Sequence, residues 1–356
     1  GSLSRACAAR MKPASGRACA LHVFSSAPVA RSLVKAAAAA IAGFFIASTP
    51  AFAQAQDKFP SRPISVVVPS TSGGSVEFQT RILAEIFREK HGQPWVIELR
   101  PGAMGATGAT YASRAAPDGY TLFASPNSPL VFNPLTHKQL AYDPTKFTPI
   151  FMMSTQPLVM ATRGDFPGES MSDLVDYARK NPERIYYGSQ GIGGGNHMSA
   201  LLLASHTQTK MKHVPFSGAG PATQALMKGE VDFFMAPMAQ ILPWYRDKKL
   251  KMFAMGAPTR HPDAPDVPTF RELGYPEEFV LTVWSVLMGP PNMPAPIADW
   301  LNKAINEVLD TPVAKERFRA LGVDPGGGSR AELASFLGRE FRTWEKVARE
   351  NNIEKQ

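Results

Sequence analysis

The run ISVVVP (64–69) is followed by six small residues, STSGGS (70–75), and then by VEFQTRILAEIFREKHG (76–92). This succession constrains the fold more than any other feature of the chain. A short, continuous β-branched run ending at proline reads as a buried parallel strand. In the segment after it, Val76, Ile82, Leu83, Ile86 and Phe87 fall near one helical face, and Gly92 supplies the stop. WVIEL (95–99) is a second strand. A glycine-rich turn, a short helix of small residues and a Pro-Asp-Gly turn (100–120) lead to a third, TLFAS (121–125). Strand, helix, strand, helix, strand predicts a parallel α/β sheet, because parallel neighbours need a crossover long enough to hold a helix.

The pattern then repeats. TPIFMMS and PLVMAT (148–162) read as strands, and SMSDLVDYARKNP (170–182) as a helix capped by Ser170 or Ser172. IYYGS (185–189) is a strand feeding a glycine loop and the apolar start of a helix. MKHVPF (211–216) is a short strand, and GPATQALMKG (220–229) a helix between Pro221 and Gly229. VDFFMA (231–236) and KMFAMG (251–256) are buried strands, and FVLTVWSVLMGP (279–290) is one long strand or a pair. Three helices, 294–310, 312–321 and 332–351, complete the chain. The expectation is an α/β protein of two lobes with mixed, mainly parallel sheets. Lobe 1 comprises 54–155 plus 281–356 and lobe 2 comprises 156–280, with the chain crossing twice.

Residues 1–53 stand apart. They hold six basic side chains and no acidic one, so most of the formal charge of +8 belongs to them. Arg31 and Lys35 flank the apolar stretch AAAAAIAGFFIAS (36–48), which is of signal length, and AFA (51–53) offers small residues for cleavage after Ala53. The segment is read as a signal peptide with an N-terminal extension. Both cysteines, Cys7 and Cys19, lie in it. The remaining chain can form no disulfide and no thiolate site, which suits the bacterial periplasm. Its small residual charge gives no reason to invoke nucleic acid.

Ligands of open α/β sheets bind beyond the carboxyl ends of the strands. The loops there are STSGGSVE (70–77), SPNS (125–128), SQGIGGGN (189–196) and SGAG (217–220). All are rich in Ser, Thr, Asn and Gly, and two of them open helices. Backbone N–H groups at a helix start make an anion cradle. None of the four loops contains Lys or Arg, so no P-loop is present, and Gly191, Gly193 and Asn196 give only a broken dinucleotide fingerprint. A small carboxylate fits this chemistry better than a polyphosphate. A serine hydrolase is the catalytic rival: YGSQG (187–191) approaches a nucleophile elbow, with His197 or His213 as base, but no motif places an acid beside either. The histidines lack metal-binding spacing, and no cofactor or metal is expected. Glu77 and Asp232 are possible site carboxylates.

The chain resembles the substrate-binding proteins of tripartite tricarboxylate transporters, also called Bug proteins. The resemblance rests on FPSRPISVVVPSTSGGSVE (59–77), LRPGAMGATGA (99–109), APDGYTL (116–122), YGSQGIGGGNH (187–197), HVPFSGAGPATQALMKGEVD (213–232) and DVPTFRELGYPEEFVLTVWSVLMGP (266–290), in that order. It implies a periplasmic-binding-protein-like Venus flytrap that closes on a small carboxylate and delivers it to membrane permease subunits. Carried over position by position, it nominates Ser72, Gly73, Ser75, Ser125, Asn127, Ser189, Asn196, Ser217 and Gly218 as ligand-binding. Glu77 stands where family members often have Asp, which can meet an amino or hydroxyl group of the ligand. Ser70-Thr71-Ser72 replaces the family's common Phe-Pro-Pro or similar run. Phe78, Phe132 and Phe234 would suit an aromatic or aliphatic body, and a dicarboxylate is equally open. The resemblance implies no catalysis. A monomer is the default, and presentation to a sensor kinase is the alternative to a permease.

Overall fold

The computed structural model describes residues 59–355, so the signal segment and both cysteines lie outside the described residues. The chain runs β1 (Ile64–Val68), α1 (Ser75–His91), β2 (Trp95–Leu99), α2 (Ala106–Ser113) and β3 (Thr121–Pro126), then a π-helical turn (Ser128–Phe132) that continues as α3 (Asn133–Thr136). It proceeds through β4 (Thr148–Arg163), α4 (Met171–Lys180), β5 (Tyr186–Ser189), α5 (Gly195–Thr207), β6 (Lys212–Pro215), α6 (Ala219–Met227), β7 (Phe233–Pro237), α7 (Met238–Arg246) and β8 (Leu250–Met255). It ends with β9 (Thr282–Gly289), α8 (Ala295–Leu309), α9 (Pro312–Ala320), the two-residue β10 (Asp324–Pro325) and α10 (Arg330–Glu350).

Local chemistry explains these elements. Ile82, Leu83, Ile86 and Phe87 bury one stripe of α1, and Gly92 ends it at φ 75°, donating its amide to the Arg88 carbonyl. Ser170 caps α4 through the Asp173 amide. Val66, Val67 and Val68 are fully buried, as expected for strands covered on both faces.

The strands join in the order β2-β1-β3-β9-β4-β7-β5-β6, with β8 and β10 also pairing to β4. Parallel pairing is confined to the two ends, β2-β1-β3 and β7-β5-β6. The strands that join them are antiparallel: β9 to β3 and β4, and β7, β8 and β10 to β4. The mainly parallel character expected of the sheets thus holds at the ends and gives way in the middle, where β4 runs antiparallel to β9, β7 and β8.

The segment 148–162, which reads as two strands, is one continuous β4. Its residues up to Pro157 pair with β9, and from Leu158 onward it pairs with β7 and β8. Pro157 lacks an N–H and sits where the ladder changes partners, so no central hydrogen bond is lost to it. Leu158 donates to the Leu281 carbonyl at 2.8 Å and accepts from the Gly256 amide at 2.7 Å. The segments 156–158 and 281–283 therefore lie side by side.

One core cluster packs α1, α8 and α9 on β1 and β2; another packs α6 and α7 on the far part of β4 with β7 and β8. A third contains Val67 and Phe123 together with Met160, Leu174 and Met198, and takes in Trp284, Trp344 and Val347. It is built around α10, which packs on β4, α5, α3 and the π-helical turn. No helix among the described residues is long and apolar enough to cross a membrane.

Candidate functional site

A cleft of about 750 Å³ opens where β1, β3, β5 and β7 end, floored by the crossing strands at Leu158 and Thr282–Ser285. Ser70, Thr71, Ser75, Gln79 and Asn127 line it from the β2-β1-β3 side, and Gln190, Gly194, Gly195, Asn196, Ser217 and Gln240 from the β7-β5-β6 side. Hydroxyl and amide side chains make up nearly half of the lining, and no lining residue carries a formal charge.

Two helix N-termini point into this space. Helix α1 follows Gly74 and α5 follows Gly194, both in extended conformation and neither offering a side-chain cap. Their first intrahelical bonds run from Phe78 to Gly74 and from Met198 to Gly194, so the preceding helical amides have no acceptor within the helix. By contrast, α4, α9 and α10 are capped by Ser170, Thr311 and Ser329. Free N–H groups and the positive ends of two helix dipoles suit the cleft to an anion without a cation.

A buried amide sets the floor. Gln79 Oε1 accepts from the hydroxyls of Ser154 at 2.8 Å and Ser285 at 2.6 Å, while its Nε2 donates to Ser75 Oγ at 3.0 Å. Ser75 therefore accepts from behind and has its own proton free to donate into the cleft. Across the cleft, Asn196 donates its Nδ2 to the Met235 carbonyl, which fixes its amide plane. Gly195 permits close approach there: a Cβ would lie 3.1 Å from the Phe132 ring and 3.8 Å from Asn127 Nδ2.

Of the residues nominated from the sequence, the structure brings Ser75, Asn127, Asn196 and Ser217 to the cleft. Ser72 and Gly73 are exposed on the loop before α1, outside the lining. Gly218 adjoins Ser217 as the residue before α6, with open space around it. Three others lie behind the wall. Glu77 is buried and accepts from the Gly73 amide at 2.7 Å and from Arg81 at 2.6 and 2.8 Å. The Arg81 guanidinium and the Gly73 N–H hold its carboxyl below the usual carboxylate range, and its role is to tie the loop to α1. Ser125 is buried and donates to the Pro126 carbonyl. Ser189 is fully buried.

Asp232 is likewise spent on structure, accepting from Arg163 and the Tyr186 amide. Of the three phenylalanines only Phe132 lines the cleft. Phe78 is exposed on α1, and Phe234 packs in the cluster of β7, β8 and α6 because strand alternation turns it away. Gln79, Ser154 and Ser285 were not singled out from the sequence. Gln79 lies four residues after Ser75 on the same helical face, the one signal that marks it.

The glycine loop 190–195 is held by a stack of imidazoles. Ser189 Oγ lies 2.6 Å from His213 Nε2, not against His197, and no carboxylate bonds either histidine among the described residues. His197 Nδ1 accepts from the Gly193 amide at 3.0 Å, and its ring stacks on His213 at 4.0 Å. Burial first, and His213 second, push the His197 pKa down to about 4; burial lowers His213 as well. The folded state thus binds fewer protons than the unfolded chain between about 4 and 6.5. Stability from this stack is complete above about pH 6.5 and is lost as pH falls through 4, by about 3 kcal/mol for His197. Urea unfolding across this range is expected to show that loss, reduced in His197→Gln; an equal loss in the variant contradicts it.

A second cavity of about 720 Å³ lies on the Thr155–Pro157 and Thr282 segments beside α7 and α9. Within it Arg246 pairs with Asp263 at 3.2 Å and His261 lies 3.5 Å from Asp324, whereas Arg260 pairs with Glu272 outside the lining and Arg319 has no ion pair among the described residues. Neither α1 nor α5 opens into it.

The TctC family model, described as the tripartite tricarboxylate transporter family receptor, matches residues 79–353. The protein BugT of Bordetella pertussis is 32% identical over 314 residues, covering 87% of this chain and 96% of BugT. The R. palustris protein Rpa4515, solved with adipate, superimposes with a TM-score of 0.72 at 29% identity, over 84% of this chain and 100% of that one. MatC from Rhodopseudomonas palustris, with bound malate, gives 0.68 at 33% identity over 82% of this chain and 100% of MatC. The fold is accordingly that of periplasmic binding proteins, as the sequence led one to expect. With the family model spanning most of the chain and BugT matched almost end to end, this protein belongs to the tripartite tricarboxylate transporter receptor family.

Proposed function

We propose that the protein captures a small carboxylate in this cleft, in the periplasm, and presents it to the membrane permease subunits of a tripartite transporter without chemical change. The observation that carries the reading is the uncharged cleft onto which two uncapped helix N-termini open. Hydrogen bonds to a charged group contribute about 1.5–3 kcal/mol each, so a few backbone and amide donors can hold a carboxylate with no guanidinium. That relatives are solved with adipate and malate supports the same ligand class. In this reading residues 54–155 and 281–356 move as one lobe and 156–280 as the other, bending at the paired crossings. Closure excludes water and strengthens each polar contact. Residues 1–53 serve as the export leader, and the receptor acts as a monomer without a cofactor.

Calorimetry against a panel of mono- and dicarboxylates, aromatic acids included, tests this. The expected result is saturable one-to-one heat with at least one member and no product by mass spectrometry. Turnover of any member, or binding that needs an added metal, contradicts it.

A further inference from the structure

The lining of the cleft also says what the body of the solute carries. Resting on the carboxylate reading above, we propose that the ligand is a hydroxylated carboxylate, with several hydroxyl groups along its chain, rather than an acid with an apolar aliphatic or aromatic body.

Ser70 lines the cleft, and its Oγ is buried with no hydrogen-bond partner. It is pressed beside the glycine that precedes α1, 3.0 Å from where a Cβ on Gly74 would stand. Thr71, Asn127, Gln190, Ser217 and Gln240 also line the cleft. None of their side chains makes a hydrogen bond with another of the described residues. Water serves the latter five side chains while the cleft is open, whereas the Ser70 hydroxyl is out of its reach and unpaired. When the cleft closes, each must find a partner on the ligand or remain unpaired and desolvated, which costs free energy.

A carboxylate cannot meet that demand alone. It only accepts hydrogen bonds, whereas the amide oxygens of Asn127, Gln190 and Gln240 need donors. An ammonium group would donate, but the lining has no carboxylate to balance it, since Glu77 is turned onto Arg81 and Gly73. A hydroxyl both donates and accepts, and suits amides and serines alike. The two tryptophans of the lining offer little apolar surface in exchange. Trp284 and Trp344 are only 1% and 4% exposed, with both indole N–H groups given to Glu340. A site built to hydrogen-bond hydroxyls rejects the analogue lacking them far more strongly than an apolar pocket rejects an added hydroxyl.

The test is calorimetry of the mature protein with chain-matched pairs: hexanoate against gluconate, and adipate against galactarate, with benzoate as the aromatic probe. The hydroxylated member of at least one pair is expected to bind about a hundred-fold more tightly than its partner and than benzoate. Ser70→Ala with Thr71→Val is expected to cut that ratio at least ten-fold while thermal stability is kept or raised, because an unpaired buried hydroxyl is removed. Adipate, hexanoate or benzoate binding as tightly as the hydroxylated acids overturns this inference and leaves the carboxylate reading intact. An unchanged ratio in the double variant overturns it as well. No binding by any of the five overturns both.

Discussion

Replacing Ser75 by aspartate lowers carboxylate affinity by at least about a hundred-fold while leaving the fold as stable as before or slightly more so. Ser75 is the first residue of α1, reaches the cleft, and already accepts from Gln79 behind it. A carboxylate there favours the helix by about 0.3–1 kcal/mol, since it answers the free amides and the dipole. It also occupies the anion's place and repels a bound carboxylate. At about 4 Å and an effective dielectric near 20 that repulsion is about 4 kcal/mol, or two to three orders of magnitude in affinity. Stability and binding thus move in opposite directions, which a merely damaging substitution does not produce. Calorimetry and thermal melting of Ser75→Asp beside Ser75→Ala make the comparison. Retained affinity in Ser75→Asp places the carboxylate elsewhere.

Gly193→Ala is expected to cost about 2–4 kcal/mol of stability and at least ten-fold in affinity. Gly193 has φ +76°, and a Cβ there would lie 2.5 Å from Cγ2 of Thr136. Thr136 is buried and its hydroxyl donates to the Phe132 carbonyl, so it is not free to swing aside. The loop must lift instead, weakening the Gly193 bond to His197 and moving Gly195 and Asn196 from the cleft. Adding Thr136→Ser removes the clashing methyl and returns part of the loss, leaving the backbone strain. Gly191→Ala, at φ +133° with nothing within 4 Å of a Cβ, shows strain alone and a smaller loss. Urea denaturation reads all three; equal losses at Gly191 and Gly193 contradict the packing described.

Much of this fold was legible because local and long-range signals agree. The apolar stripe of α1 and the left-handed Gly92 mark one helix without ambiguity. Boundaries slipped where a cap was overlooked: the box of Ser329 and Glu332 starts α10 at Arg330, two residues before the sequence reading. Helix α7 escaped notice because Pro237 precedes it, Pro243 interrupts it and only Met238 and Ile241 are buried. The join at Pro157 was read as a break, since no local pattern shows that one strand changes partners there.

The site was legible as a set of loops but not as a set of atoms. Ser75, Asn127, Asn196 and Ser217 reach the cleft, whereas Glu77 is claimed by Arg81 four residues on, a helical pairing the sequence contains. Ser125 and Ser189 close the ends of strands and turn inward beneath the loops they begin. Gln79, Ser154 and Ser285 come from three elements and meet only in the folded chain, up to 206 residues apart.

The most direct measurement is a crystal structure of the protein with the tightest-binding carboxylate. The carboxylate is expected between the two sides of the cleft, its oxygens on the first-turn amides of α1 or α5 and on Ser75 or Asn196, with no Lys or Arg nitrogen within hydrogen-bond reach. A carboxylate paired to a guanidinium or ammonium, or a ligand seated outside the cleft, contradicts recognition by uncharged donors.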